Sequence, residues 1–251
     1  MSTGVQTAIG KFVWHDNNTT DIDKARRFYT ELLGWDIEVW KPGEMDYPMI
    51  KVGEQMHGGF GPAQGGAPSH WLGHVLVKDV DETARKAEGA GGRILAGPMD
   101  IPEVGRFAVI ADPKGAVLSA FTPSGELPPS EGVFVWDELA TTDVDGAKSF
   151  YTEIFDWTTS EMDMGQMTYT IFKRAGDVDA AGCLQHPEGT GAQSAWVPYI
   201  ATNDVDATTK RAKDLGATIF REPTDIPDMG RFSIVQDPVG AVFGLWQSFS
   251  T

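Results

Sequence analysis

Two carboxylates recur at one position of an internal duplication, and they are the first groups in this chain with chemistry to offer. Asp16 and Glu138 stand 122 residues apart, and each follows a tryptophan, Trp14 or Trp136, by two positions. A carboxylate on an aromatic strand can serve as a general base or anchor a ligand amine. The alternative is a cap or a hydrogen bond to backbone near the first turn. Arg106 and Arg231, each inside a Gly-Arg-Phe triplet, can pair with an anionic ligand group, with those carboxylates, or with surface partners. Cys183 is the single cysteine, which excludes an intrachain disulfide and a multi-cysteine zinc site. It sits in an apolar Gly-rich stretch without an evident partner, so a small buried residue is expected rather than a nucleophile. No serine nucleophile elbow, phosphate-binding glycine loop or dinucleotide fingerprint is present.

These groups are positioned by a chain that repeats itself. Residues 12–35, FVWHDNNTTDIDKARRFYTELLGW, align with 134–157, FVWDELATTDVDGAKSFYTEIFDW, at 13 of 24 positions. A second block from Trp71 matches one from Trp196 at an offset of 125, so the second copy carries about three extra residues (125 − 122) between the blocks. Agreement this long marks a duplication. The Pro/Ser/Gly-rich stretch TPSGELPPSEG, Thr122–Gly132, has linker composition. Two domains are expected, 1–125 and 126–251.

Within the first copy a β-rich run at Phe12–Asp16 precedes a helix that Asp21 or Asp23 can cap, with Ala25, Phe28, Tyr29, Leu32 and Leu33 at helical spacing. Gly34 is the helix stop. Strands are expected around 35–40, 47–52 and 55–60. The order then restarts, with a strand at 71–77, a helix from about 80 to 90, and short strands near 93–95, 106–111 and 116–121. Each copy therefore reads βαβββ twice. This is an α+β fold with helices on one sheet face, while the other face curls into a cup suited to ligands.

The composition, 41% hydrophobic and 22% charged, is that of a globular protein, and the net charge of −16 argues against nucleic acid and anionic membrane as partners. The first residues lack a basic start and a long apolar stretch, and 56–77 is broken by too many Gly and Pro to span a membrane. A cytoplasmic location is expected. A homodimer is possible.

Three motifs carry a family resemblance. TTDIDKARRFYTELLGW, VKDVDETARKAEGAGG and DPKGAVLSAF, repeated as TTDVDGAKSFYTEIFDW, TNDVDATTKRAKDLGA and DPVGAVFGLW, resemble the helix-one signature, second-module start and "DP-x-G" turn of the vicinal oxygen chelate superfamily. This is the glyoxalase/bleomycin resistance/dioxygenase group, here in tandem two-domain form. The resemblance covers nearly the whole chain and implies cup-shaped mixed sheets, two βαβββ modules per domain and four per chain. It also implies four His/Glu/Gln ligands per domain around a divalent metal. Counting from the motifs, however, places Trp14, Leu72, Ser119 and the strand near Gly59 at those positions in copy one. In copy two they fall on Trp136, Val197, Gly244 and the strand near Gly182. These residues cannot build the site, so no metal cofactor is expected. The alternative is one Ni, Zn, Fe or Mn ion in copy one, held by His15, Asp16, His57 and His74. That set requires a one-residue bulge to swing His15 into the cup.

Residues in phase with the old ligand positions line the cup if strands alternate. They are Phe12, Trp14, Asp16, Leu72, His74, Leu76, Val117, Ser119 and Phe121 in copy one. In copy two they are Phe134, Trp136, Glu138, Val197, Tyr199, Ala201, Val242, Gly244 and Trp246. An aromatic lining with a few polar points suits a flat, hydrophobic ligand; filling by core or interface packing is the alternative. Expected ligand contacts are Trp14, Asp16, His74, Ser119, Phe121, Trp136, Glu138, Tyr199 and Trp246, with Arg106 and Arg231. Three functions remain open: a metal-free binder of a hydrophobic or aromatic small molecule, a metal-dependent lyase, isomerase or oxygenase with a rearranged site in copy one, and a metal-independent enzyme using Asp16 or Glu138. If the chain is an enzyme, the resemblance implies a glyoxalase-like lyase or a dioxygenase- or hydroxylase-like activity.

Overall fold

A computed structural model describes residues 8–41, 46–126, 131–165, 167–186 and 193–249. The first sequence copy supplies β1 (Phe12–Thr19), α1 (Ile22–Leu33), β2 (Asp36–Trp40), β3 (Tyr47–Val52), β4 (Gln55–Pro62), β5 (His70–Leu76), α2 (Val80–Gly89), β6 (Arg93–Ile101), β7 (Gly105–Ala111) and β8 (Val117–Pro123). The second supplies β9 (Phe134–Thr141), α3 (Val144–Phe155), β10 (Thr158–Asp163), β11 (Thr168–Arg174), β12 (Val178–Gln185), β13 (Ala195–Ala201), α4 (Val205–Asp214), β14 (Thr218–Ile226), β15 (Gly230–Gln236) and β16 (Val242–Ser248). Each copy forms one eight-stranded mixed sheet, ordered β2-β3-β4-β1-β5-β8-β7-β6 and β10-β11-β12-β9-β13-β16-β15-β14. The expected α+β class and the four βαβββ modules are therefore present.

All four helices start in the same way. Asp21, Asp79, Asp143 and Asp204 each accept a hydrogen bond from the backbone N–H three residues on. That satisfies one of the donors orphaned at a helix N-terminus. Asp21, not Asp23, is thus the first cap. At the far end of α1, Gly34 takes the left-handed conformation, φ 70°, and its N–H reaches the Thr30 carbonyl, closing the helix as its lack of a Cβ allows. Some strands exceed their expected lengths, β1 running on to Thr19 and β6 furthest of all. β6, expected near 93–95, runs to Ile101, with its register against β7 shifting twice around Gly97-Pro98. Bulges let the strand pass residues that cannot sustain regular pairing.

Compaction divides the chain differently from the sheets. One unit draws on the described residues of 1–13, 73–127 and 136–196. Its core packs Val75, Ala84, Ile110 and Leu118 with Phe150, Tyr151, Trp157, Phe172 and Trp196. The other draws on those of 14–72, 128–135 and 197–251, and packs Phe28, Tyr29, Trp35, Phe60 and Trp71 with Ile200, Val235, Phe243 and Leu245. Each unit thus joins the first module of one sequence copy to the second module of the other. Each is tied by a buried relay from a helix tyrosine to the Asp of the DP-x-G turn. Tyr29 donates to Asp237 Oδ2 at 2.9 Å and accepts from the Trp71 indole at 2.9 Å. Tyr151 donates to Asp112 Oδ2 at 3.0 Å and accepts from Trp196 at 2.9 Å. The other oxygen of each aspartate caps its own turn, accepting from the Lys114 and Ala116 or the Val239, Gly240 and Ala241 amides. Buried polar groups must find such partners, which explains why Tyr and DP-x-G recur together.

Candidate functional site

β1 alternates. His15, Asn17 and Thr19 are buried, and Trp14, Asp16 and Asn18 on the opposite face are partly exposed. Its parallel register against β4 is unbroken, His15↔Gly58, Asp16↔Gly59, Asn17↔Phe60. Trp14 and Asp16 are joined there by a residue that the pattern reading omitted. The Trp14 indole N–H is shared between Asp16 Oδ1 at 3.1 Å and the Tyr47 hydroxyl at 2.9 Å, and that hydroxyl donates a short hydrogen bond to the same Asp16 oxygen. Copy two repeats the arrangement. Trp136 Nε1 donates to the Tyr169 hydroxyl at 2.8 Å, and the hydroxyl donates to Glu138 Oε2 at 2.7 Å. Burial, reinforced by the neighbouring carboxylate, raises both phenol pKa values well above the ordinary range. The two tyrosines are therefore fixed donors, not bases. They were detectable in the sequence, since 169 − 47 gives the same 122-residue offset as the repeat.

Glycine makes room for each phenol. A Cβ on Gly59 would overlap the Tyr47 ring and hydroxyl, and one on Gly182 would overlap those of Tyr169 and approach Trp136 Nε1. Gly59 and Gly182 lie in the strand stretches where a third metal ligand was expected, so tyrosine now occupies space that a carboxylate ligand would need. A similar exchange occurs on the later strands. Tyr199 pairs in register with Gly244, one of the transferred ligand positions, and a Cβ on Gly244 would enter the Tyr199 ring. Its ring also lies 6.3 Å from Phe232. In copy one the register pairs His74 with a fully buried Ser119, and His74 meets Phe121 edge-on at 6.3 Å. Trp246 and Phe121 are covered by Gly230 and Gly105, where a Cβ would touch their rings.

The donor set does not suit the metal that the fold family uses. Trp, Leu, Val and Gly offer no side-chain ligand of the required kind, and Ser119 directs its hydroxyl to the Ala120 carbonyl. Among the described residues no group of three or more His, Cys, Asp or Glu is arranged to hold an ion. The alternative set of His15, Asp16, His57 and His74 is not assembled. The required bulge is absent from β1, and His15 instead stacks on Phe134 at 4.1 Å. His57 is buried, and desolvation followed by the nearby His15 lowers its pKa.

Other expectations are corrected or resolved. Phe12 and Phe134 do not line the cup. Phe12 packs on Trp196 at 5.3 Å in one core, and Phe134 on Trp71 at 5.3 Å in the other. The start of a strand has no preceding pair to hold its alternation, so these rings turn to the larger apolar mass. Arg106 forks onto Asp81 at 2.7 and 2.9 Å and reaches Asp100 at 2.9 Å. Arg231 does the same with Asp206 at 2.7 and 3.0 Å and Asp225 at 2.5 Å. The guanidiniums are bound to these carboxylates rather than to Asp16 or Glu138, and each pair links a helix start to a strand. Cys183 is buried, and its thiol is pushed up to about 12. A surface depression at the start of α1 is lined mostly by charged residues, Asp21, Asp23, Lys24, Arg27 and Glu31, with Phe28, Leu215 and Pro238. No helix among the described residues is long and apolar enough to cross a membrane.

The comparisons agree with this fold. The family model of the Glyoxalase/Bleomycin resistance protein/Dioxygenase superfamily matches residues 12–119 and 134–245. CFP32 of Mycobacterium tuberculosis, which carries a glyoxylase name, is 33% identical over 243 residues, covering 92% of each chain. The anthracycline biosynthesis protein DnrV of Streptomyces peucetius is 29% identical over 258 residues, covering 95% of this chain and 93% of that one. A Mn(II)-bound glyoxalase from Novosphingobium aromaticivorans superposes with a TM-score of 0.59 at 18% identity, covering 97% of this chain and 85% of that one. BphC, a halotolerant catechol dioxygenase, gives 0.62 at 14% identity, covering 96% and 87%. The fold, the duplicated motifs and the matched residues lead to one assignment: the chain belongs to the glyoxalase/bleomycin resistance protein/dioxygenase superfamily, as a tandem two-copy member.

Proposed function

We propose that the chain binds a flat, hydrophobic or aromatic small molecule without a resident metal, using the Trp–Tyr–carboxylate groups of both copies. One observation carries this proposal. In each copy a tyrosine occupies the space above a glycine where a metal ligand would stand, and it is locked there by an indole N–H and a carboxylate. The site thereby exchanges ligands for rings. Trp14, Tyr47, Trp136 and Tyr169 are all partly exposed, and aromatic side chains of this kind can stack on a flat ligand. Two relatives carry names in anthracycline biosynthesis, a context compatible with an aromatic ligand. A cytoplasmic location is part of the proposal, supported by the lone cysteine and acidic composition.

Tryptophan fluorescence titrated with planar aromatics, an anthracycline and anthraquinone among them, tests it. Saturable quenching is expected, weakened about tenfold or more in a Trp14→Ala/Trp136→Ala variant that keeps its far-ultraviolet circular dichroism. Absence of saturable quenching across the panel, or quenching that the double variant leaves untouched, would overturn the proposal.

A further inference from the structure

The second module of copy two carries a sheet face that copy one does not repeat. Residues opposite each other in register share a face of a sheet. Across β14, β15, β16 and β13 one such row reads Arg221, Ile234, Gly244, Tyr199, and the next reads Thr224, Phe232, Trp246, Ala201. The other face of these strands presents Val235, Phe243, Leu245 and Ile200 to the core, so the two rows point away from it. We propose that this face binds an aromatic carboxylate, Arg221 meeting the carboxylate and Phe232 and Trp246 the ring. The site lies within one compact unit and uses none of the residues of the Trp–Tyr–carboxylate groups.

Arg221 differs from the two arginines of the Gly-Arg-Phe triplets. Arg106 and Arg231 each bridge two aspartates. Arg221 is exposed, and its guanidinium lies over the Phe232 ring, 5.5 Å from the centroid. Among the described residues no carboxylate pairs with it. The ring contact orients the guanidinium, and its planar fork keeps N–H donors that match the two oxygens of a carboxylate. Phe232 and Trp246 are partly exposed, and the buried Tyr199 ring backs Phe232 at 6.3 Å. The net charge of −16 opposes an anion at long range. Salt screens such a field beyond about 8 Å, whereas Arg221 acts at contact.

The duplication supplies an internal comparison. The corresponding rows of copy one read Ala96, Val109, Ser119, His74 and Met99, Phe107, Phe121, Leu76. The central aromatic pair is kept, as Phe107 and Phe121, but alanine stands where copy two has Arg221, at the same 125-residue offset. His74 is at the far end of its row, edge-on to Phe121. The two copies thus offer similar rings and differ in the cation beside them. The predicted stoichiometry is one aromatic carboxylate per chain, held by copy two.

Calorimetric titration of the full chain with 2-naphthoate and 2-naphthalenemethanol separates charge from ring. The naphthoate is expected to bind about tenfold tighter than the alcohol, at one per chain. An Arg221→Ala variant, which gives copy two the residue of copy one, is expected to bring naphthoate down to the affinity of the alcohol. Because Arg221 is exposed, the variant should keep its circular dichroism and unfolding midpoint. The Trp14→Ala/Trp136→Ala variant is expected to retain the naphthoate advantage. Absence of naphthoate binding, equal affinity for the two probes, or an advantage that Arg221→Ala leaves intact would overturn the inference. So would an advantage lost in the double tryptophan variant, which would place the anion at the Trp–Tyr–carboxylate groups. The proposal for those groups stands or falls separately, on quenching by uncharged planar aromatics.

Discussion

Asn17 shows how one residue can register the history of a duplication. It is fully buried on the core face of β1, and neither its amide oxygen nor its nitrogen has a hydrogen-bond partner. Its counterpart, 122 residues on, is Leu139, equally buried in β9. An unsatisfied buried amide forfeits its hydration without return, a loss of about 1–3 kcal/mol. Asn17→Leu is expected to stabilise the chain by that order in urea unfolding, and destabilisation would mean that the amide has a partner. Residue-scale legibility was uneven. Strand phase puts Trp14 and Asp16, and Trp136 and Glu138, on one strand face, but it does not reach Tyr47 and Tyr169, which lie on β3 and β11. The 122-residue offset marks them as a repeated pair, but only the sheet shows them lying over Gly59 and Gly182. Phe12 and Phe134 failed for the opposite reason: phase was trusted at a strand end, where packing decides.

At the scale of elements, the helices and the DP-x-G turns behave as paired parts. Tyr29 on α1 and Tyr151 on α3 are buried and bonded to the turn aspartates Asp237 and Asp112. Burial first, and then the adjacent aspartate, raises both phenols, as it does Tyr47 and Tyr169. A raised folded-state pKa means that folding favours the protonated phenol. That stability is fully present below the ordinary value of 10.0 and is lost as pH climbs through the folded values. The thiol of Cys183, raised from 9.0 to about 12, adds loss in the same direction beginning near 9. Four of the five tyrosines are therefore expected to resist ionisation in ultraviolet titration until the chain unfolds in alkali. Titration of all five near the ordinary phenol value with the fold intact would contradict the buried relays. Elements were the most legible level, since caps, helical spacing and strand runs are local signals. The largest departure was β6, expected near 93–95, which bulges around Gly97-Pro98 and runs on to Ile101.

At the scale of the whole molecule, the compact units cross the boundary of the duplication. The unit containing α2 and α3 buries Val75, Ile110 and Leu118 with Phe150, Phe172 and Trp196, so residues 1–125 alone would lack half of that core. A fragment spanning 1–125 is expected to be unstable as a monomer, showing no cooperative unfolding at low concentration. Co-expression with 126–251 should restore it. Cooperative monomeric unfolding of the fragment with the stability of the intact chain would show that its modules need no partner. Repeat comparison revealed the duplication but not this exchange, because periodicity records which residues are apolar and not which apolar faces meet. Family membership was legible because its motifs recur in order. The departure from the implied ligands was legible by subtraction, as positions filled with Trp, Leu, Val and Gly, while the packing of Tyr47 over Gly59 and of Tyr169 over Gly182 required coordinates.

The central claim is that tyrosine and tryptophan have replaced the metal centre in both copies. Native mass spectrometry of untagged, freshly purified chain, with and without added Ni, Zn, Mn and Fe(II), tests it most directly. The predicted result is no stoichiometric metal uptake, with any co-purified mass being organic. Uptake of one or two ions per chain, abolished by substituting His15, Asp16 or His74, would contradict the claim and restore the metal-dependent alternative.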